Sequence, residues 1–242
     1  MKALSLTPPF ASLIALGAKR VETRTGRFPR SFTGQFAVHQ TIGLQGLQQM
    51  LPGRKGTRPE QLLNELCSTS PFACALEPLR RRAAGQQDTL LPGHDVDWNR
   101  VLPRGAVVAV AHVQGIEDIT ATLAAQIRAG RVTGYGTVGV DEHVFGDYRP
   151  GRVAIFINHV TPLIQPVACP GQQGVWDLPA HIDAQVRHAL HLAFEHEAAP
   201  RGLDDEPEQL PAAVGSFRTH TPPFAIAAGG VREGTLASGG AA

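Results

Sequence analysis

Leu4-Ser5-Leu6-Thr7-Pro8-Pro9-Phe10, an apolar run to Gly17, and then Lys19-Arg20-Val21-Glu22-Thr23-Arg24 compress a strand, a short helix and a second strand into two dozen residues. Residues 3 to 6 read as the first strand. Pro8 and Pro9 suit the first turn of a helix, where a missing N–H costs little. Phe10, Leu13, Ile14 and Leu16 give that helix one apolar side, and Gly17 is a fitting stop. Residues 19 to 24 read as a strand with Val21 turned to the core. Alternation then places Arg20, Glu22 and Arg24 together on the opposite face. Lys19 stands at the helix–strand junction, where alternation does not place it. Mixed charges this close to an apolar segment suggest the wall of a polar cleft. The plainer alternative is a surface strand with solvated ion pairs.

Outward from this unit, Gly34 to His39 reads as another strand. Residues 43 to 104 change in character: Gly/Gln-rich, Pro-punctuated and Arg-rich pieces with two helices predicted near 59–67 and 71–84. They read as a mostly helical insertion that decorates the core. Gly105 to Val113 is the strongest strand of the chain, apolar and β-branched. A helix is predicted over 116–129, a glycine-rich loop over Gly130 to Gly139, a strand over Arg152 to Val160 and a helix over Pro179 to Glu197. From Pro200 onward Gly, Pro, Ala and acidic residues dominate without periodicity. That composition predicts a disordered tail, with Phe217 and Phe224 as a short docking segment. Several strands with few helices between them predict an α+β fold: a small β-barrel with helices on its rim, over residues 1–199.

The bulk numbers restrict function. The chain has 242 residues, 43% of them hydrophobic, enough for a real core. Its formal net charge is +1, so nucleic-acid binding, if present, needs a local patch. Cys67, Cys74 and Cys169 are too few and too scattered for a disulfide framework, and no CxxC pair suggests a zinc site. No cofactor is expected. No signal-peptide pattern and no membrane-length apolar run is read, so a cytoplasmic location is expected.

Other segments carry candidate chemistry. In Glu142-His143-Val144-Phe145-Gly146-Asp147-Tyr148-Arg149-Pro150-Gly151-Arg152, Tyr148 can stack on a base, with Arg149 and Arg152 alongside for phosphate. The alternative is a hairpin entry with an aromatic plug. In Gly171-Gln172-Gln173-Gly174-Val175-Trp176, the glycines allow close backbone approach, and Trp176 either closes the core or walls a stacking site. His39 ends the strand after the charged one and can line the same cleft, or serve as a structural histidine. His181, His188 and His191 share one predicted helix, but no carboxylate–histidine metal pattern accompanies them. Gly134 to Gly139 is neither a dinucleotide fingerprint nor a P-loop. Arg80-Arg81-Arg82 is a solvated helix end or the local basic patch.

Together these residues resemble the ASCH family of the PUA-like superfamily. The resemblance runs over Ala3 to His39, where "ALSLTPPFASLIALGAKRVETR" is followed by "GQFAVHQ", and again over Phe145 to Pro179, with "FGDYRPGRVAIFINHV" and "GQQGVWDLP". It implies a β-barrel with a cleft beside the N-terminal helix, and recognition of RNA or a modified nucleobase. Lys19, Glu22 and Arg24 fall on the family's cleft motif. Some members are hydrolases that remove the acetyl group of N(4)-acetylcytidine with a lysine, a threonine and a glutamate. Lys19 matches that lysine, Glu22 replaces the threonine, and Glu142 is the candidate for the glutamate. Others are linked to ribonuclease activity, where Lys19 or His39 would serve as acid or base. Phe10 stands where many members have Trp, and Thr25-Gly26 stands where a Trp follows the motif, so stacking would fall to Phe28, Tyr148 or Trp176.

Three readings follow. The first is a binding module for RNA or a modified nucleoside, using Lys19, Glu22, Arg24, His39, Tyr148, Arg152 and Trp176. The second is a hydrolase of a nucleoside amide or an RNA phosphodiester, with Lys19 and Glu22 catalytic. The third is a protein-interaction module that works through residues 43–104 or the tail.

Overall fold

The chain is seen here as a computed structural model that describes residues 1–26, 28–50, 54, 56–86 and 96–198. Its first elements are β1 (Lys2–Leu6), α1 (Phe10–Ala15), β2 (Val21–Thr25) and β3 (Gly34–Gln40). Five helices follow: α2 (Gln45–Met50), α3 (Pro59–Ser68), α4 (Phe72–Ala75), α5 (Glu77–Gln86) and α6 (Trp98–Val101). Then come β4 (Ala106–Asp118), α7 (Ala121–Arg128), a small hairpin of β5 (Arg131–Val132) and β6 (Gly136–Thr137), and a 3₁₀ turn at Glu142–Val144. The long β7 (Arg152–Ala168), β8 (Val175–Asp177) and α8 (Ala180–Ala198) complete the described elements.

The main sheet has six strands in the order β2-β7-β4-β3-β1-β8. Only β1 and β3 pair in parallel; the other neighbours are antiparallel. The fold is α+β as expected, but the sheet is an open, curled half-barrel with β2 and β8 as its edges, not a closed barrel. The curl has a local cause. Register shifts at Val38/His39, Val107/Ala109, Val110/His112 and Val113/Gly115 insert extra residues into the central strands, and each bulge bends and twists its strand.

Alternation along the strands gives the sheet two differently covered faces. One carries α1. Leu4, Leu6, Phe36, Val38, Ile155 and Ile157 meet Phe10, Leu13 and Ile14 there. The other is covered by α8 at one end, where Ala3, Ala37 and Val107 pack with Ile182 and Val186. At its other end α7 covers it, with Leu123 and Ile127 against Val21, Ala154 and Phe156.

The helices between β3 and β4 correct the picture of a decorating insertion. Leu44, Leu47, Leu63, Cys67, Phe72, Leu76, Trp98 and Leu102 all belong to the same core as α1. These apolar faces complete the half-barrel on its α1 side. Asn64 fixes the join, its Oδ1 accepting from the Trp98 amide at 2.9 Å.

Other boundaries moved for physical reasons. Pro8 and Pro9 precede α1 instead of opening it, with Pro9 at its N-cap position. The helix predicted from 116 starts at Ala121, after Thr120 caps it by accepting from the Leu123 amide at 3.1 Å. Residues 116–118 extend β4 because β7 is long enough to pair with them, Ile116 opposite Ile155. The helix predicted over 71–84 is two helices, α4 and α5. The expected tail from Pro200, with Phe217 and Phe224, lies outside the described residues. Among the described residues no helix is long and apolar enough to cross a membrane.

If residues 43–104 were mere decoration, core truncation there would be silent. Leu63 has no exposed surface, so Leu63→Ala is expected to lower unfolding stability by about 2–5 kcal/mol. Arg81→Ala, on an exposed side chain, should stay within about 0.5 kcal/mol of the parent. Urea denaturation of the two variants decides the point.

Candidate functional site

The centre of the site is a lysine with no solvent. Lys19 is fully buried, at 0% exposure, where the turn after α1 delivers it beneath β2. A buried ammonium is tolerable only when oxygen atoms replace its water. Its Nζ donates to the Phe145 carbonyl at 2.8 Å and to the Val21 carbonyl. Glu22 Oε2 lies 3.5 Å away and Glu142 Oε1 3.8 Å away. The Phe10 ring stands 5.9 Å from the ammonium, a further favourable contact.

Glu142 is the residue that sequence reasoning placed only through the resemblance. It too is fully buried. Its Oε2 accepts from the Arg20 amide at 2.7 Å, and its Oε1 from the Val21 amide at 3.2 Å and the Tyr148 hydroxyl at 2.8 Å. Burial pushes this carboxyl above the ordinary carboxylate range, while Lys19, the two amides and Tyr148 oppose the shift. Burial pushes the Tyr148 phenol up as well, and the neighbouring Glu142 adds to it. Thus residues 142–148 run along the free edge of β2 and satisfy its outward amides and carbonyl.

Glu22 and Arg24 continue from Lys19 along the α1 face. Their opposite partners on β7 are Ile155 and Val153. Arg24 Nε lies 3.2 Å from Glu22 Oε1, and its Nη2 donates to the Ser5 carbonyl at 2.7 Å. The approach to Glu22 is not aligned as a hydrogen bond, which leaves Arg24 Nε without one among the described residues. Glu22 is therefore a carboxylate held between two cations, one buried and one a quarter exposed. Of the expected trio, Glu22 and Arg24 pair with each other, while Arg20 stands just before the strand, exposed, near the end of α1 and Ile157.

Of the remaining predicted residues only Tyr148 touches this group, through Glu142 and the Val21 carbonyl. Tyr148 is buried, with its hydroxyl spent on Glu142 and the Val21 carbonyl, so it serves as the aromatic plug. Arg152, opposite Thr25, is on the other face, beside the Thr23 carbonyl and Asp147. His39 and Trp176 sit under α8, on the face opposite Glu22, with ring centroids 5.7 Å apart. Phe28 packs on the α1-side core and on Phe32. Arg80 and Arg81 pair with Glu77 on their own helix. Cavities of about 180 Å³, beside Gly17, and about 460 Å³, between β7 and α8, open elsewhere; neither is lined by Lys19, Glu22 or Arg24.

His39 belongs to a network whose protons can be assigned from its partners. The Cys169 carbonyl only accepts, so His39 Nε2, 3.0 Å away, carries the hydrogen. Neutral His39 then presents a bare Nδ1 to Ser5 Oγ at 3.1 Å, and Ser5 in turn accepts from Trp176 Nε1 at 2.9 Å. Burial lowers the His39 pKa from 6.5. The close backbone approach read from the glycine segment is real: a Cβ on Gly171 would sit 2.2 Å from His39 Cε1.

No family model and no curated protein matches the chain. Among solved structures it is similar to the crystal structure of ASCH from Zymomonas mobilis, at TM-score 0.38 and 15% identity over 77% of this chain and 93% of that one. A serine-to-alanine mutant of that protein gives TM-score 0.38 and 17% identity, over 77% of this chain and 94% of its own.

Two outcomes test this geometry. Lys19→Met strands Glu142 and Glu22 and is expected to cost about 3–5 kcal/mol. Adding Glu142→Gln to it should recover part of that loss in urea titrations, because the second buried charge goes with the first. For His39, a folded pKa below 6.5 means stability that is whole above pH 6.5 and is lost as pH falls through the folded value. The urea midpoint of the parent should therefore fall more between pH 7.5 and pH 5.5 than that of His39→Gln, which cannot charge. Equal slopes would contradict the assignment.

Proposed function

We propose that the chain binds single-stranded RNA or a modified nucleobase on the α1 face, at Glu22 and Arg24. The observation that carries this reading is the carboxylate between two cations. Lys19 and Arg24 keep Glu22 in one geometry, suited to accept from the exocyclic amine of a base. Arg24 is tethered at Nη2 yet partly exposed, so it can add contacts to a base carbonyl or a phosphate oxygen. Lys19 has no exposed surface and acts here as a positioning residue. The N-terminal motif's resemblance to the ASCH family supports the same ligand class.

One observation favours a second reading. Lys19 and Glu142, two of the three residues that the resemblance assigns to amide hydrolysis, stand 3.8 Å apart. Against it, Thr23, the adjacent threonine, is buried on the other face, where its Oγ1 lies 3.3 Å from the Asp147 amide. Lys19 is also already surrounded by oxygens.

Fluorescence anisotropy with short labelled RNAs, beside a turnover assay on N(4)-acetylcytidine, tests both. Arg24→Ala should weaken RNA binding about tenfold, as expected for one lost charged hydrogen bond, and flatten its salt dependence. Folded parent protein that binds none of the RNAs would sink the binding reading. Deacetylation that disappears in Glu142→Gln would replace it with the hydrolase.

A further inference from the structure

The larger cavity, about 460 Å³, lies between the end of β7 and α8. Ile164 to Ala168 form one wall; Gln185, His188, Ala189 and Leu192 form the other. The strand register explains it. Ala109 pairs with Pro162 and Val107 with Val167, so Leu163 to Pro166 stand where β4 has only Val108. Such a surplus bends β7 away from its partner. Leu163 turns into the core under α8, while Ile164, Gln165 and Pro166 are left exposed. On its other side β7 pairs with β2 only over Arg152 to Phe156, so no strand flanks this stretch among the described residues.

Two kinds of group are left uncovered in this groove. The first is apolar. Ile182 and Val186 take α8 into the core, but Leu192 is 43% exposed, and Ile164 across the groove is 39% exposed. The second is a cation at the rim. Arg82 of α5 reaches over the β7 edge, its Nη2 donating to the Ile164 carbonyl at 3.3 Å. Arg80 and Arg81 are held by Glu77, whereas Arg82 forms no ion pair among the described residues. No carboxylate lines the groove. The nearby acids of α8 are already paired, Asp183 with the Met1 ammonium and Arg187, and Glu195 with His191.

We propose that this groove docks an extended acidic segment of a partner protein, its bulky apolar side chains lying between Ile164 and Leu192 and a carboxylate meeting Arg82. The surface lies apart from Glu22 and Arg24, and the proposal does not rest on the RNA reading. The volume falls in the roughly 300–1,000 Å³ range of formed binding sites. A wall of five consecutive strand residues facing a helix makes a long, narrow trough, which suits an extended chain. Pro162 and Pro166 have no amide hydrogen, so the edge cannot template a full added strand. Side chains must then carry the contact, with Gln185 and His188 adding hydrogen bonds from the helix bank. Charge selects the partner. An acidic segment meets a free cation and no lining carboxylate. A second copy of this chain, docked about a two-fold axis, would bring two unpaired Arg82 groups to one contact. A nucleic acid would find a single free cation and walls that are mostly apolar.

The test is a random-peptide display selection on the immobilised full chain, followed by titration of the enriched peptides into the ¹⁵N-labelled chain. Enriched peptides should carry bulky apolar residues beside Asp or Glu, and should move the backbone signals of Val167, Ala168 and Ala189 saturably. Leu192→Asp and Arg82→Ala, both on exposed side chains, should each weaken that binding about tenfold, the first by losing an apolar contact and the second a charged hydrogen bond. A selection that enriches no peptide, or peptides that bind Leu192→Asp as well as the parent, overturns the groove as a docking site. Enriched peptides without acidic residues, indifferent to Arg82→Ala, overturn the acidic occupant. Short RNAs that move the same signals and weaken in both variants would put nucleic acid there instead. A dimer of the parent in sedimentation that Leu192→Asp dissociates would make the groove a contact between copies and overturn the partner.

Discussion

The structure depends on the burial of one ammonium group. Lys19 lies beneath β2 with no exposed surface, and its charge must be met by oxygen atoms where no water reaches. Two of its partners, Val21 and Glu22, are local. The other two, Phe145 and Glu142, come from more than 120 residues further along. Meeting the charge thus draws residues 142–148 against the edge of β2. There the Glu142 carboxylate takes the Arg20 and Val21 amides, and the Tyr148 hydroxyl takes the Val21 carbonyl. An open edge strand is a template for unwanted pairing. Here the residues that cover the edge, 142–148, also bring Glu142 and the Phe145 carbonyl to the lysine.

This coupling shapes what the site can do. Lys19, Glu22 and Arg24 form one chain of alternating charge that runs from the fully buried Lys19 to the partly exposed Arg24 on the α1 face. The inner end is committed to the fold, and in the binding mode proposed above it is the outer end that would meet a ligand. On that proposal stability and recognition share Glu22, whose geometry is set from below by the buried Lys19. The opposite face has its own closed polar network, Trp176 to Ser5 to His39 to the Cys169 carbonyl, under α8. In that network each donor has an acceptor, as suits a structural lock.

Much of the N-terminal unit was legible because its signals are local. Strand, helix and strand over residues 3 to 24 follow from apolar spacing and the Gly17 stop, and Val21 faces the core as alternation requires. The motif's Lys19, Glu22 and Arg24 do meet. Arg20 stands one residue before β2, which begins at Val21, and takes no part in their ion pairs. Residues 43–104 misled by composition. Their polar, Pro-punctuated sequence hides apolar residues such as Leu63, Phe72 and Trp98, spaced too irregularly to announce a shared core. The extensions of β4 and β7 were not legible either, since each is a strand at that length only because the other pairs with it.

The sequence by itself determined the α+β class, the order of the main elements and the charged motif after α1, since propensity, turn residues and short periodicities act over a few residues. It also marked the close approach at Gly171, where a missing side chain is a local fact. Only the tertiary structure decided that the sheet stays open, that Lys19 is wholly buried, that Glu142 is its partner, and that His39 and Trp176 lie on the opposite face from Glu22. Each of these is a contact between distant parts of the chain. The desolvation of a charge, and the oxygens that replace its water, exist only once those parts have been packed together.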